Sequence, residues 1–383
     1  MTGMPVDIDS LLSDAVARGA SDLHLKVDSP PYVRIDGILR PLENLAPLTP
    51  ADTRNVALRI LEDHELDVDG IKQVDASYSV YALGRFRCNI FCERGVLGAV
   101  LRVIPGQTKT IADLNLPPVV EDISLYERGL VLCTGTTGSG KSTTLASMLD
   151  HINSNRSRHI VTIEDPIEFL HTGGKCLVTQ RELGQDTDSY SNALRGALRQ
   201  DPDVILVGEM RDKETIETAL VAAETGHLVL STLHTLDAPE TINRIIAVFP
   251  PYQQDQIRAQ LAEVLRAVIS MRLVRHKDGE GRVPGCEIMI TTTFIRECIR
   301  DRERLTEIRD AIAAGVSQYR MQTFDQSLLW LHHNGLITVE EALAAATNPN
   351  DMKLALRGIV TSAEAAEESM EVVRGAPADP PRG

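Results

Sequence analysis

No apolar run in this chain of 383 residues approaches the roughly 18 residues needed to span a bilayer. A secretory leader is not expected either, because MTGMPVDIDS carries Asp7 and Asp9 where a signal peptide carries Lys or Arg. These two absences predict a cytoplasmic protein. The six cysteines, Cys88, Cys92, Cys133, Cys176, Cys286 and Cys298, form no C-x-x-C pair, which argues against a zinc ribbon or a disulfide framework and for reduced thiols in packed positions. A basic surplus is missing: 39 Lys and Arg against 54 Asp and Glu give a formal net charge of −15, so no broad basic surface attracts nucleic acid. Aromatics are scarce, at 4% with one Trp, and leave little material for base-stacking platforms. Both shortages count against a nucleic-acid-dependent recombinase or helicase.

What is present, 43% hydrophobic and 24% charged residues, is the composition of a folded globular protein, and the length suggests two or three domains. Ile8, Leu11, Leu12 and Ala15 recur at helical spacing before Gly19. Asp22 to Val27, Tyr32 to Ile35, Gln73 to Tyr81, Phe86 to Phe91 and Gly98 to Ile104 then alternate apolar and polar residues. An α+β domain over 1–104 is expected. Residues 105–118, IPGQTKTIADLNLPP with its preceding Ile, lose periodicity and gain Pro and Gly, which marks a linker. The apolar runs at Leu130 to Thr134, Ile160 to Glu164, Val204 to Gly208 and Leu228 to Thr232 follow it, separated by the helical stretches Lys141 to Ile152, Tyr190 to Leu198 and Lys213 to Ala223. Short, wholly apolar strands alternating with helices predict an α/β domain with a covered parallel sheet, over 119–360. From Gln253 to about Ala346 a mostly helical region is expected, with one strand near Gly285 to Ile290. Residues 361–383, ending GAPADPPRG, read as a disordered tail.

Gly135, Thr136, Thr137, Gly138, Ser139, Gly140, Lys141 and Ser142 satisfy G-x-x-x-x-G-K-[ST] between the strand GLVLCT and the helix STTLASMLDHI. Glycines let the backbone curl around phosphate oxygens and offer its N–H groups, and the helix N-terminus adds a favourable dipole. Lys141 would neutralise β and γ oxygens, and Ser142 would ligate Mg²⁺. A carboxylate on a neighbouring strand is also needed. Glu209 supplies one at the end of DVILVGE, where Gly208 allows close approach. A second cluster, Glu164, Asp165 and Glu168, surrounds Pro166 after the strand Ile160 to Ile163, and from the residues alone each acid is a candidate. His227 and His234 bracket Leu228 to Ser231 and are read as γ-phosphate sensors.

GTTGSGKST, VTIEDPIEF, ALRQDPDVILVGEMRD and ETGHLVLSTLHTLDA, in that order, resemble the secretion-type ATPases, the hexameric motors of type II secretion and type IV pili. In that family they are the Walker A loop, which extends the cradle to Thr143, the Asp box, the Walker B segment and the His box. The stretches ASDLHL, GRFRCN and GAVLRVIP resemble the family's small PAS-like N-terminal domain, and the match spans roughly residues 5 to 350. The resemblance implies a RecA-like ATPase domain binding ATP and Mg²⁺, with Lys141, Ser142 and Glu209 at the phosphates and metal. It makes Glu168 the carboxylate that polarises the attacking water, and places Arg87 and Arg102 at a neighbouring subunit's nucleotide. A homohexamer acting on an inner-membrane platform protein, at the cytoplasmic face of that membrane, is implied.

The short N-terminal region and the absence of a tetracysteine module after the His box favour the retraction branch of that family. Its signature helix, A-I-R-N-L-I-R-E, compares with Phe294-Ile295-Arg296-Glu297-Cys298-Ile299-Arg300-Asp301. Ile295, Arg296, Ile299 and Arg300 fit, and they are expected to present an effector surface. The departures at Phe294, Glu297, Cys298 and Asp301 keep open an accessory motor working beside a paralogous retraction ATPase, and an assembly or secretion ATPase is the further alternative.

Overall fold

The computed structural model describes residues 6–357 apart from positions 44, 63–67, 69, 82, 105 and 107. The tail expected at 361–383 lies outside the described residues. Two compact units result: the first holds the described residues before Thr108 together with Pro166–Leu170, and the second holds Thr108–Asp165 and what is described from His171 onward.

In the first unit the order is α1 (Ile8–Ala17), β1 (Asp22–Leu25), β2 (Tyr32–Ile35), β3 (Ile38–Pro41), α2 (Pro50–Ile60), β4 (Gln73–Val80), β5 (Gly84–Glu93) and β6 (Val96–Val103). The strands form one antiparallel sheet, ordered β3-β2-β1-β6-β5-β4. Leu12 of α1 and Val56, Ala57 and Ile60 of α2 bury against Leu23, Leu25, Phe86, Cys88, Ile90 and Leu101 of the sheet. Two elements go beyond the sequence expectation. Helix α2 opens with Pro50 in its first turn inside a Thr49–Asp52 capping box, a position where proline's fixed φ and missing N–H cost nothing. Strand β3 is exposed at all four residues, so it carries no apolar alternation to read.

The second unit runs α3 (Val119–Ser124), β7 (Gly129–Thr134), α4 (Lys141–Asn155), β8 (His159–Glu164), β9 (Leu177–Glu182), α5 (Tyr190–Ala197), β10 (Val204–Val207), α6 (Lys213–Glu224), β11 (Leu228–Leu233), α7 (Ala238–Ala247), α8 (Pro251–Val264), β12 (Leu265–Arg275), β13 (Arg282–Ile290) and α9 (Thr293–Arg300). Helices α10 (Glu307–Ala314), α11 (Val316–Tyr319), α12 (Phe324–His333), α13 (Val339–Ala345) and α14 (Pro349–Ala355) follow. Its sheet is ordered β13-β12-β7-β11-β10-β8-β9, parallel throughout except for β13, which runs antiparallel to β12. Strands β7, β10 and β11 are buried at every residue. Their side chains alternate between two cores: Leu130 and Leu132 join the core that includes residues of α5 to α9, and Val131 and Cys133 join the one that includes residues of α3 and α4.

Two boundaries differ from the expectation. The stretch from Thr108 is no linker, because Ile111 and Leu116 are buried in the same core as Val119 and Val120. The region after Gln253 is not mostly helical up to Gly285, since LRAVISMRLVR forms the long strand β12. That strand lies between β7 and β13 and is covered on both faces, so its apolar residues do not alternate and periodicity does not separate strand from helix. The C-terminal helices are tied to β13: Ser327 Oγ accepts from the Cys286 N–H at 3.1 Å, and the Gln322 amide donates to the Cys286 carbonyl at 2.7 Å.

Glu287 of β13 is buried and accepts a 2.9 Å hydrogen bond from the Ala238 N–H at the start of α7. Burial pushes its carboxyl up to about 7, and nearby Asp237 adds to this while the Ala238 N–H, Arg309 and Arg272 oppose it. A carboxyl raised in the folded state keeps its proton there when the unfolded chain has lost it. Its contribution to stability is therefore full below the ordinary carboxyl value and is lost as pH rises through about 7. At about 1.4 kcal/mol per pKa unit, the span is on the order of 3 kcal/mol. Glu287→Gln is expected to flatten the decline in unfolding free energy between about pH 4.5 and 7 by that order. Urea titrations followed by fluorescence of Trp330, the single tryptophan, at several pH values would check this; an unchanged slope would count against it.

Candidate nucleotide site

Strand β7 runs into the loop Gly135–Gly140, and α4 starts at Lys141. At Gly135, with φ +138°, a Cβ would stand 2.5 Å from the Met271 carbonyl of β12 and 2.6 Å from Ser139 Oγ. Only glycine lets the loop press so closely on the neighbouring strand. Gly140, at φ 98°, opens α4 in a left-handed conformation with no side-chain cap. By contrast α5, α6 and α7 are capped by Ser189, Asp212 and Asp237. The first N–H groups of α4 are thus offered outward, the arrangement that binds phosphate.

Lys141 is buried, and its ammonium donates to the carbonyls of Gly135 at 2.8 Å and Thr136 at 3.0 Å, which holds the loop curled. Ser139 Oγ is buried and finds no hydrogen-bond partner among the described residues. Thr144 Oγ1 lies 3.3 Å from Met271 Sδ, and Ser147 Oγ donates to the Lys109 carbonyl at 2.6 Å, so α4 is fixed on both sides.

The parallel register brings the carboxylates to the same edge. Thr134 pairs with Leu233, Ser231 with Val207, and Val207 with Ile163, so Gly135, His234, Glu209 and Glu164 all stand at the carboxyl ends of adjacent strands. Thr232 Oγ1 donates to the Gly208 carbonyl at 2.7 Å, and the Gly208 N–H donates to Ile163 O at 2.8 Å. Glu209, 16% exposed, meets Arg211 at 2.7 Å through Oε2 and His234 Nε2 at 3.3 Å through Oε1. Glu164 Oε1 accepts from Thr162 Oγ1 at 2.7 Å and from the Gln180 amide at 3.2 Å. The Tyr190 hydroxyl is 3.1 Å from where a Cβ on Gly208 would lie. Burial, and then the charges of Asp165 and Glu209, hold that phenol well above its ordinary range, so it remains a hydrogen-bond donor.

The pairing of His227 with His234 does not survive. His227 precedes β11 and His234 follows it, so the strand separates them by roughly 20 Å. His227 Nδ1 lies 2.8 Å from the Ala222 carbonyl and 3.3 Å from Thr225 Oγ1, at the end of α6. A role at this chain's own phosphate loop is open to His234 and not to His227. Glu168 is exposed and sits in Pro166–Leu170, which belongs to the first unit. Arg87 and Arg102 are directly cross-strand on β5 and β6. Arg102 is 69% exposed, and its Nε donates to Asp22 at 2.9 Å. Burial alone would raise the Asp22 carboxyl, yet hydrogen bonds from Ser21 and Arg102 outweigh it and hold it below its usual value.

Arg211 and Tyr190 escaped the motif reading. Arg211 follows Glu209 by two residues in VGEMRD, and that spacing was the one available signal. Tyr190 has no local signal at all, because it reaches Gly208 only through the packing of α5.

The expected effector face of α9 is also corrected. Ile295, Cys298 and Ile299 are fully buried in the core, so the helix spends its apolar stripe on the fold itself, while Arg300 stays exposed and Arg296 half-buried.

A loop that excludes a Cβ at Gly135, an orphaned buried hydroxyl at Ser139 and an uncapped helix start fit the phosphates of a nucleotide, and Ser142 and Glu209 carry oxygens of the kind a hard divalent cation takes. The type II/IV secretion system protein family model matches residues 4–326. The chain belongs to that family. It is 47% identical over 347 residues to the type IV pilus retraction ATPase PilT of Pseudomonas aeruginosa, covering 90% of this chain and 100% of that one. With the type IV pilus ATPase PilU of the same organism it shares 39% identity over 353 residues, 92% of each chain. The crystal structure of the pilus retraction motor PilT with bound ADP superposes with a TM-score of 0.82 at 46% identity, covering 91% of this chain and 99% of that one.

Gly135→Ala tests the cradle. The Cβ must displace Met271 O or Ser139 Oγ, and the φ is strained for any L side chain. Loss of fluorescent-nucleotide binding by at least about tenfold is expected, with a fall in stability of roughly 1–3 kcal/mol; undiminished binding would show that the loop does not form the site.

Proposed function

We propose that this protein is a Mg²⁺-dependent ATP-hydrolysing motor that powers retraction of type IV pili. The observation that carries the reading is the uncapped, glycine-cradled start of α4 with buried Lys141, on the same sheet edge as Glu209, in a chain 47% identical to PilT along nearly its whole length. Lys141 is positioned to exchange its bonds to the Gly135 and Thr136 carbonyls for phosphate oxygens. Its charge then opposes the negative charge that develops on the transferred phosphoryl. The α4 N–H groups, Thr136 to Ser139 and Thr143 orient the phosphates, and Ser142 and Glu209 would hold Mg²⁺. That ion, when bound, neutralises phosphate charge. His234, beside Glu209, is suited to contact the γ-phosphate.

Glu168 is proposed as the carboxylate that polarises the attacking water, on the family resemblance. Glu164 is the weaker candidate because Thr162 and Gln180 already engage its Oε1. The proposed working form is a homohexamer in which Arg87 and Arg102 serve a neighbouring subunit's nucleotide. It would act at the cytoplasmic face of the inner membrane on a pilus platform protein; no helix among the described residues is long and apolar enough to cross a membrane. The higher identity to PilT than to PilU favours the principal retraction motor over an accessory partner of a paralogous ATPase.

Lys141→Ala is expected to abolish phosphate release. Glu209→Gln should slow it on the order of a hundredfold while sparing nucleotide binding, and a deletion strain should be piliated but unable to twitch. Persistent turnover in Lys141→Ala would remove the active-site assignment; a deletion strain without pili would instead indicate an assembly motor.

Parallel Gln substitutions divide the two Asp-box acids. Glu168→Gln is expected to lose most of the rate and Glu164→Gln to keep most of it; the reverse result in a phosphate-release assay would move the base to Glu164.

A further inference from the structure

The opposite edge of the second unit's sheet carries a group of residues that the nucleotide chemistry does not use. Arg128 immediately precedes β7, Arg266 is the second residue of β12, and Thr291 follows β13. Because β12 runs parallel to β7 and antiparallel to β13, with Leu265 opposite Leu130 and Ala267 opposite Ile290, all three meet at the end of the sheet remote from Gly135. They line a cavity of about 280 Å³ with Tyr126, Glu127 and Ile290. Arg266 donates weakly to the Arg128 carbonyl at 3.3 Å and to the Glu263 carbonyl at 3.2 Å, and its own carbonyl accepts from the Thr291 N–H at 2.9 Å.

A third guanidinium comes from α9. Burial pushes the Arg266 guanidinium down, and the charges of Arg296 and Arg128 lower it further while Glu263 and Tyr126 oppose this, so both other guanidiniums lie near Arg266. Arg296 Nε and Thr291 Oγ1 are both buried and find no hydrogen-bond partner among the described residues. The nearby acids make their ion pairs with other arginines, Glu127 with Arg158, Glu263 with Arg300 and Asp122 with Arg320, although the Glu263 charge still acts on Arg266. In a chain of net charge −15, a partly buried cluster of like charges with unmet donors is costly unless an anion joins it.

We propose that Arg128, Arg266 and Thr291, which line the cavity, with Arg296 beside Arg266, form a second oxyanion site, built for the phosphate group of a small molecule. Guanidinium forks match the oxygens of a phosphate bidentately, and the Thr291 hydroxyl supplies a further donor. The cavity is smaller than the roughly 300 Å³ at which drug-sized pockets begin, which suits a phosphate group better than a whole nucleotide buried within it. Occupancy would tie α9 to the first residues of β7 and β12.

Two sources of phosphate are separable in the full chain by saturating the phosphate loop with Mg²⁺ and a non-hydrolysable ATP analogue, then titrating by calorimetry at constant ionic strength. If free phosphate is the ligand, orthophosphate binds one equivalent per chain on top of the analogue. If a nucleotide phosphate is the ligand, the analogue itself binds a second, weaker equivalent. In either case Arg266→Gln should weaken this binding about tenfold or more and Thr291→Val about fivefold, with the tight equivalent unchanged. Arg128→Gln, at an exposed position, provides the same readout if Arg266→Gln does not fold. One analogue equivalent with no heat from orthophosphate, or extra binding that survives all three substitutions, would overturn the site.

Discussion

A helix that begins without a side-chain cap leaves its first N–H groups to be satisfied by something else, and much of the second unit is arranged around that requirement at α4. The loop before it needs glycine at Gly135 because Met271 of β12 stands where a Cβ would be, so the position of β12 beside β7 sets the shape of the cradle. Thr144 and Ser147 then fix the helix against β12 and the Lys109 backbone. The stretch from Thr108, which composition marks as a linker, is thus part of the support for the site. Its apolar residues Ile111 and Leu116 are buried under the same helix.

The carboxyl edge depends on a second close approach. Gly208 leaves room for the Tyr190 hydroxyl and for the backbone of β8, which lets Glu209 follow an unbroken, fully buried strand. Thr232 and Ser231 add hydroxyl bonds to the carbonyls at the end of β10, and these hold the strand end without competing for the Glu209 carboxylate. Burying polar side chains this way is tolerable because each is hydrogen-bonded. At the other edge of the sheet two buried donors, Thr291 Oγ1 and Arg296 Nε, find no acceptor among the described residues.

What the sequence made legible was local. The phosphate loop, β7, β10, β11 and their intervening helices are marked by glycine spacing and by short wholly apolar runs, and each boundary is read from a few adjacent residues. Strand β12 was not legible because burial on both faces erases alternation, and β3 because exposure at all four residues does the same from the other side. The histidine pair shows a different failure. A seven-residue spacing across a strand places the two side chains at its opposite ends, whatever motif they share. Tyr190 depends on tertiary packing and leaves no mark in its own neighbourhood. The role given to Glu168 came from the family resemblance, since three acids around Pro166 are equivalent by composition.

Glu209 carries one further consequence. Both of its oxygens are engaged, one by Arg211 and one by His234. A carboxylate 16% exposed would be costly to leave alone, yet Arg211 is 73% exposed, and an ion pair so open to water is worth at most about 1 kcal/mol. The pairing therefore orients the carboxylate while holding it only weakly. Arg211 is a second protein cation on the same edge as Lys141. With Lys141 and Arg211 both at this edge, charge alone does not demand Arg87 and Arg102. Their case rests instead on the family resemblance and on their direct pairing across β5 and β6, where Asp22 fixes Arg102 through Nε and leaves most of its guanidinium exposed.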